Sequence, residues 1–234
     1  MKRIPATELE QNSQAWFDAR TASIGGSDDK GLKPLSRGKY KGLVEGAVGF
    51  WKKLIAEKLA LQKDGESERE RGHRLEDKAR ECASKKLDIE FVKAGMWLSS
   101  VKGSHVSPDS EEDVNEPTYA QEIKAFDSDK HLRIMYEDLL ARKEDGYEPF
   151  NSIPDDNQDQ VIKLFNVNDK LETVYWTLFD DRQSYEEFEC YIIKVKRNDL
   201  INELVEDQRT MENNAIKRSK EIVKFMLDEL KGKK

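Results

Sequence analysis

HVSPDSEEDVNEPTYAQEIKAF, His105 to Phe126, reads as strand, tight acidic turn and strand. It delivers Asp109 at the end of the first strand and Glu122 with Lys124 on the second. Residues two apart on a strand leave the same face, so Glu122 and Lys124 share one. Two carboxylates with an ammonium beside them can hold a divalent cation. Such a set suits metal-assisted attack of water on a phosphodiester, where charge on the transferring phosphoryl group must be neutralised. Alone the pattern is weak, because a chain that is 37% charged will contain Pro-Asp followed by Glu-x-Lys by chance. The plainer reading is a hairpin with a solvated ion pair, and the rest of the chain decides between the two.

Upstream, SERERGHRLEDKARECASKKL (67–87) places Leu75, Ala79, Cys82, Ala83 and Leu87 at helical spacing, facing a core. Glu76 lies at the edge of that stripe, one turn before Arg80. It is either a surface glutamate with an i,i+4 partner or a carboxylate brought over the sheet to share a metal. DIEFVKAGMWLSS (88–100) is strand-like, so three antiparallel strands are expected to follow the helix. The acidic run 111–117 reads as a turn whose charges are mostly solvated.

Downstream, Ser128 or Asp129 caps a helix through Arg142, with Leu132, Met135, Leu139 and Leu140 inward. Residues 146–154 form a loop. Pro154 at a first-turn position and the acids after it start a helix over 154–166. Val161, Leu164 and Phe165 pack inward there, with Gln160 beside them. Residues 171–181 and 186–197 alternate like the strands of one hairpin. A long helix from Asn198 or Asp199 to about Leu230 carries Leu200, Leu204, Met211, Ile222, Phe225 and Met226 as its buried or partner-facing stripe.

Towards the start, TELEQNSQAWFDAR reads as a first helix with Thr7 as N-cap and Trp16 and Phe17 as core anchors. RTASIGGS (20–27) sets a basic residue before a Gly-Gly-Ser turn. Such a turn can grip a phosphate with Arg20 and the Ser27 hydroxyl, or be an ordinary glycine turn. KGLKPLSRGKYKGLVEGAVG (30–49) is a basic, glycine-rich loop, fit to lie against a nucleic-acid backbone or simply in solvent. FWKKLIAEKLALQ (50–62) is a helix with a buried stripe.

The 234 residues suffice for a substantial core and, with no internal repeat or long linker, are expected to form a single domain, 1–234. Recurring aromatics argue against disorder despite a mean hydropathy of −0.83, and no apolar run approaches the length needed to cross a bilayer. MKRIPATELEQ lacks the apolar core of a signal peptide, so a cytoplasmic location is expected. Cys82 and Cys190 have no metal-like spacing and suit a reducing compartment. The net charge of −7 argues against general coating of DNA, while 40 Lys and Arg residues leave material for one positive groove.

A helix with Glu76, strands with Asp109 and Glu122-x-Lys124, helices and then further strands is the layout of the restriction-endonuclease-like fold. That is an α/β (α+β) class with a mixed central sheet flanked by helices, here with a long C-terminal helix. Within it, the chain resembles the lambda-type alkaline exonucleases and the related YqaJ viral-recombinase nucleases. The resemblance rests on Trp16, Arg20, Ile24 and Ser27, on Gly72, Glu76, Ala79 and Arg80, on Ser107-Pro108-Asp109, on Glu122-Ile123-Lys124 and on Gln160-Val161. It spans about residues 16 to 226. Ser110 stands where the family usually has Gly, Ala125-Phe126 where Cys-Pro is frequent, and the segment from Lys124 to Gln160 is longer than in the lambda enzyme.

The resemblance implies that Asp109, Glu122 and the backbone carbonyl of Ile123 bind Mg²⁺, with Mn²⁺ as an alternative, and that Glu76 completes a second metal position. Mg²⁺ takes octahedral oxygen ligands and keeps several waters. Two ions about 3.5–4 Å apart would clamp the attacking and leaving oxygens. Lys124 would orient or deprotonate the water, its pKa lowered beside the cations, and Gln160 would help hold the arrangement. A 5′-phosphate pocket maps to Arg20, Ser27 and Ser107, and Lys130 stands where the family places an Arg; a solvated helix lysine is its alternative. His105 reads as a core or surface histidine, and Trp51, Trp97 and Trp176 as packing. The family's members form trimeric rings that thread duplex DNA and digest one strand from its 5′ end, leaving a 3′ strand for an annealing recombinase. The implied activity is a Mg²⁺-dependent 5′→3′ exonuclease on linear double-stranded DNA in phage-type recombination. The alternatives are an endonuclease or single-strand nuclease of the same fold, or a non-cleaving DNA-binding protein.

Overall fold

The computed structural model describes residues 2–5, 7–11, 13–20, 68–100, 103–126, 128–183 and 185–231. The turn with Ser27, the basic loop 30–49 and the expected helix 50–62 with Trp51 lie outside the described residues.

Two sheets organise the chain. A three-stranded sheet joins β1 (Lys2–Ile4), β3 (Met96–Leu98) and β4 (His105–Val106). A five-stranded sheet runs β2 (Val92–Lys93), β5 (Ser110–Glu111), β6 (Tyr119–Lys124), β7 (Thr173–Phe179), β8 (Cys190–Lys196). β6 and β7 are parallel, with Glu122 opposite Trp176 and Lys124 opposite Leu178; the other neighbours are antiparallel. A parallel pair needs a long crossover, here α3 (Ser128–Ala141), a 3₁₀ turn (Pro149–Ser152) and α4 (Asp155–Val167).

The expected run of three hairpin strands is corrected in detail. Residues 88–100 split between the two sheets, and Asp109 lies between β4 and β5 rather than at a strand end. Pro108 has no N–H to give a ladder, so the chain leaves one sheet there and joins the other. Gly95 allows the split, because a Cβ on it would lie 1.6 Å from the Ile4 carbonyl oxygen of β1.

Helices cover both faces of the larger sheet. Ala120, Val174, Trp176, Leu178, Ile193 and Val195 bury one face under α4 and the C-terminal helix α6 (Asp199–Lys231), which a short helical turn, α5 (Glu186–Glu189), and β8 precede. Ile123, Tyr175, Phe179 and Cys190 bury the other against Leu75, Ala79 and Ala83 of α2 (Glu68–Leu87). The first helix, α1, is shorter than expected, Gln14–Arg20. Ser13, not Thr7, caps it, its hydroxyl accepting from Trp16 N at 3.2 Å.

Two buried stripes also differ from expectation. On α3 the inward residues are His131, Ile134, Met135 and Asp138, while Leu139 and Leu140 are each 44% exposed. Asp138 takes the Tyr147 and Tyr191 hydroxyls at 2.5 Å each, and that polar anchor rotates the leucines outward. On α6 the inward residues are Ile201, Val205, Gln208, Glu212 and Ser219, with Leu200, Phe225 and Met226 exposed. The helix meets a polar surface: Lys163 and Ser104 bond Glu212, and Asn166 bonds Gln208.

Candidate active site

β6 carries the site because its edge outruns its neighbour. β5 pairs only Ser110 with Gln121 and Glu111 with Ala120. Beyond that pairing the Ile123 N–H has no strand to bond, and Asp109 Oδ2 accepts from it at 2.6 Å. Asp109 N in turn donates to the Gln121 carbonyl at 3.1 Å. A residue's N–H and C=O face the same side of a strand, so the Ile123 carbonyl also points to the edge that Asp109 lines. Glu122 and Lys124 project from the face opposite Ile123, and the Lys124 ammonium donates to Glu122 Oε1 at 2.7 Å.

Arg80 of α2 fastens this edge from the other side. Its Nε donates to Ser110 Oγ at 2.9 Å and its Nη2 to the Asp109 carbonyl at 3.4 Å, while Nη1 bonds Asp77 at 2.7 Å. The serine at the usual glycine position thus has a physical role, as acceptor for Arg80. The sequence signal was the Arg one turn after Glu76, but its partners lie about thirty residues downstream.

The four charged groups act on one another electrostatically. Burial raises the Asp109 carboxyl well above the usual carboxylate range; Glu122 and, more weakly, Glu76 add to the rise, and Lys124 opposes it. Burial favours a neutral Lys124 amine, but Glu122, Asp109 and Glu76 outweigh it and hold the ammonium's pKa above lysine's usual value. The expected depression belongs to the metal-bound site; without metal the groups acting on Lys124 are carboxylates.

The donor set has the chemistry for Mg²⁺, since carboxylates and a main-chain carbonyl are hard oxygens and the raised Asp109 carboxyl marks negative charge that a cation would relieve. Among the described residues no three His, Cys, Asp or Glu side chains form a ready-made cage. Lys124 holds Glu122 to itself, and waters would have to complete the ligand shell.

The expected phosphate residues that are described lie at the end of α1, just after β4 and on α3. Arg20, the last residue of α1, donates from Nε to His105 Nε2 at 3.1 Å and stacks over the Trp16 ring at 4.2 Å. The Ser107 hydroxyl oxygen is buried and has no hydrogen-bond partner among the described residues; the same holds for Gln160 Oε1 in the second turn of α4. The Lys130 ammonium lies 3.9 Å from the Phe126 ring centroid, near the end of β6.

A mixed sheet with this acidic-lysine edge, helices on both faces and a long terminal helix defines an α/β class of fold. Within that class the chain is similar in fold to the alkaline exonuclease LHK-Exo from Laribacter hongkongensis, with a TM-score of 0.72 and 15% identity, covering 95% of this chain and 100% of that one. LHK-Exo in complex with dAMP gives a TM-score of 0.70 at 18% identity, covering 94% and 99%. A phage-related exonuclease from Haemophilus somnus 129PT gives 0.58 at 12% identity, covering 87% and 96%. No protein-family model and no curated protein matches the sequence.

Proposed function

We propose that the protein is a Mg²⁺-dependent 5′→3′ exonuclease of the lambda/YqaJ type, acting on linear double-stranded DNA. It would leave 3′ single-stranded tails for an annealing recombinase in phage-type recombination, and work as a homotrimer in the cytoplasm. The observation that carries the reading is the Asp109 carboxylate held by the Ile123 amide between Glu122 and Lys124. The fold likeness to proteins described as exonucleases, one of them holding dAMP, supports it.

In this reading Asp109, Glu122 and the Ile123 carbonyl hold the metal, with Glu76 beside them. A bound Mg²⁺ supplies Lewis-acid polarisation of the phosphoryl group and a more acidic water. Without bound metal the surrounding carboxylates raise the Lys124 pKa, and bound cations would act against them. Lys124 would orient or deprotonate the attacking water from its place beside Glu122. The Ile123 N–H keeps the Asp109 carboxylate from rotating away. Gln160 offers a buried amide to the same face.

Digestion of linear duplex with 5′-phosphate or 5′-hydroxyl ends, beside covalently closed duplex, tests the reading. Mononucleotides released with Mg²⁺ from 5′ ends of linear DNA alone are expected. Cleavage of the closed form would identify an endonuclease, and DNA binding without cleavage a non-catalytic protein.

A further inference from the structure

Arg20 must reach its ligand from the end of a short helix, on a side chain that carries about 2 kcal/mol of rotamer entropy when free. Two contacts restrict it. Trp16, one turn earlier on the same helix face, stacks under the guanidinium at 4.2 Å. His105, on β4, accepts from Arg20 Nε at 3.1 Å. An arginine Nε can only donate, so His105 Nε2 is the unprotonated nitrogen and the ring proton sits on Nδ1. His105 is 2% exposed and opposite Leu98 in the β3–β4 ladder, so its ring is a fixed wall.

Ser107 follows His105 by two residues. Its buried hydroxyl oxygen has no partner among the described residues. One short segment thus carries both the imidazole behind the guanidinium and a buried hydroxyl.

We propose that His105 is a positioning residue for Arg20, and that this clamp lets the protein distinguish a 5′-phosphate from a 5′-hydroxyl end. The inference rests on the proposed function and on the reading, implied by the family resemblance, of Arg20 as a ligand of the terminal phosphate. Its new element is the imidazole behind the arginine.

The test compares the wild type, Arg20→Ala, His105→Phe and His105→Gln on linear duplex with either end, measuring kcat and KM. Phenylalanine fills the site without an acceptor, whereas glutamine restores an acceptor oxygen. His105→Phe is expected to raise KM for phosphorylated ends about tenfold, the size of one charge-assisted hydrogen bond, and to leave hydroxyl ends unchanged. His105→Gln is expected to keep most of the preference. If Arg20→Ala abolishes the preference while His105→Phe retains it, the proposal is overturned. If Arg20→Ala retains it, the phosphate reading of Arg20 is what fails. Independently of any change at 105, imidazole ¹⁵N resonances of the wild type should show the Nδ1–H tautomer. They should shift with 5′-phosphorylated but not 5′-hydroxyl duplex in EDTA; no such shift also overturns the proposal.

Discussion

The Ile123 amide donates a 2.6 Å hydrogen bond to Asp109 Oδ2. One strand therefore presents Glu122 and Lys124 and also grips the third charged group from behind. The grip sets that carboxylate where Glu122 and Glu76 both oppose its ionisation.

That opposition predicts a stability–function conflict at Asp109. A carboxyl whose folded pKa exceeds its unfolded value stabilises the fold at low pH and loses that contribution as pH rises through the folded pKa. At neutral pH the raised pKa is a cost, because the unfolded carboxyl is ionised there. Asp109→Asn is expected to raise the metal-free melting temperature by about 2–4 °C per kcal/mol recovered in a chain of this size. It should also abolish digestion. The wild type should gain about 2.7 kcal/mol at a hundredfold excess of Mg²⁺ over its Kd, and Asp109→Asn should not. Thermal melts in EDTA and in Mg²⁺ check both statements.

Arg80 holds the backbone on which Asp109 rides, through Ser110 Oγ at 2.9 Å and the Asp109 carbonyl. Ser110→Gly removes one acceptor, costing about 1 kcal/mol. Arg80→Met frees the whole segment and should lower kcat by roughly 10²-fold, the effect of a misplaced reacting group, with KM little changed. Single-turnover digestion at saturating DNA separates this from weakened binding.

The parts legible in the sequence were those with strict periodicity. α2 shows its apolar stripe at helical spacing, and the turn signals of 111–117 set off Tyr119–Lys124 as a strand, so Glu76, Glu122 and Lys124 were placed on the elements that carry them. Contacts that join distant segments through polar atoms were not legible. Asp138 and Glu212 are charged residues with fully buried side chains, and a reading that sorts apolar inward and charged outward misses both. His105 and Arg20 lie 85 residues apart, so no local pattern announces their hydrogen bond. Gly95 looked like any strand glycine until β1 arrived beside it.

Lys163 and Glu212 form an ion pair with both side chains fully buried, and Ser104 and Asn166 bond the same carboxylate. Removing one partner strands the other charge in the core, so Glu212→Leu or Lys163→Met should cost about 3–5 kcal/mol. The apolar pair Lys163→Met with Glu212→Leu should cost far less than the sum. Urea unfolding of the four proteins gives the coupling energy, and additive losses would show the two residues to be independent.

Asp138 supplies the acid limit of stability. Burial would raise its carboxyl, but hydrogen bonds from Ser152, Tyr147 and Tyr191 and the charge of Arg142 prevail, leaving its pKa below the usual value. A depressed folded pKa contributes stability above the unfolded value, about 3.9, and that contribution is lost as pH falls through the folded one. The anchor ties α3 to β8 through Tyr191 and to the following loop through Tyr147. Asp138→Asn should therefore be less stable than the wild type at pH 7 by about 1–3 kcal/mol, the cost of a weakened buried charged acceptor. The gap should narrow steadily below about pH 4. Urea midpoints from pH 7 to pH 3 measure it, and a gap that stays constant over that range would show that the carboxylate's charge has no part in the anchor.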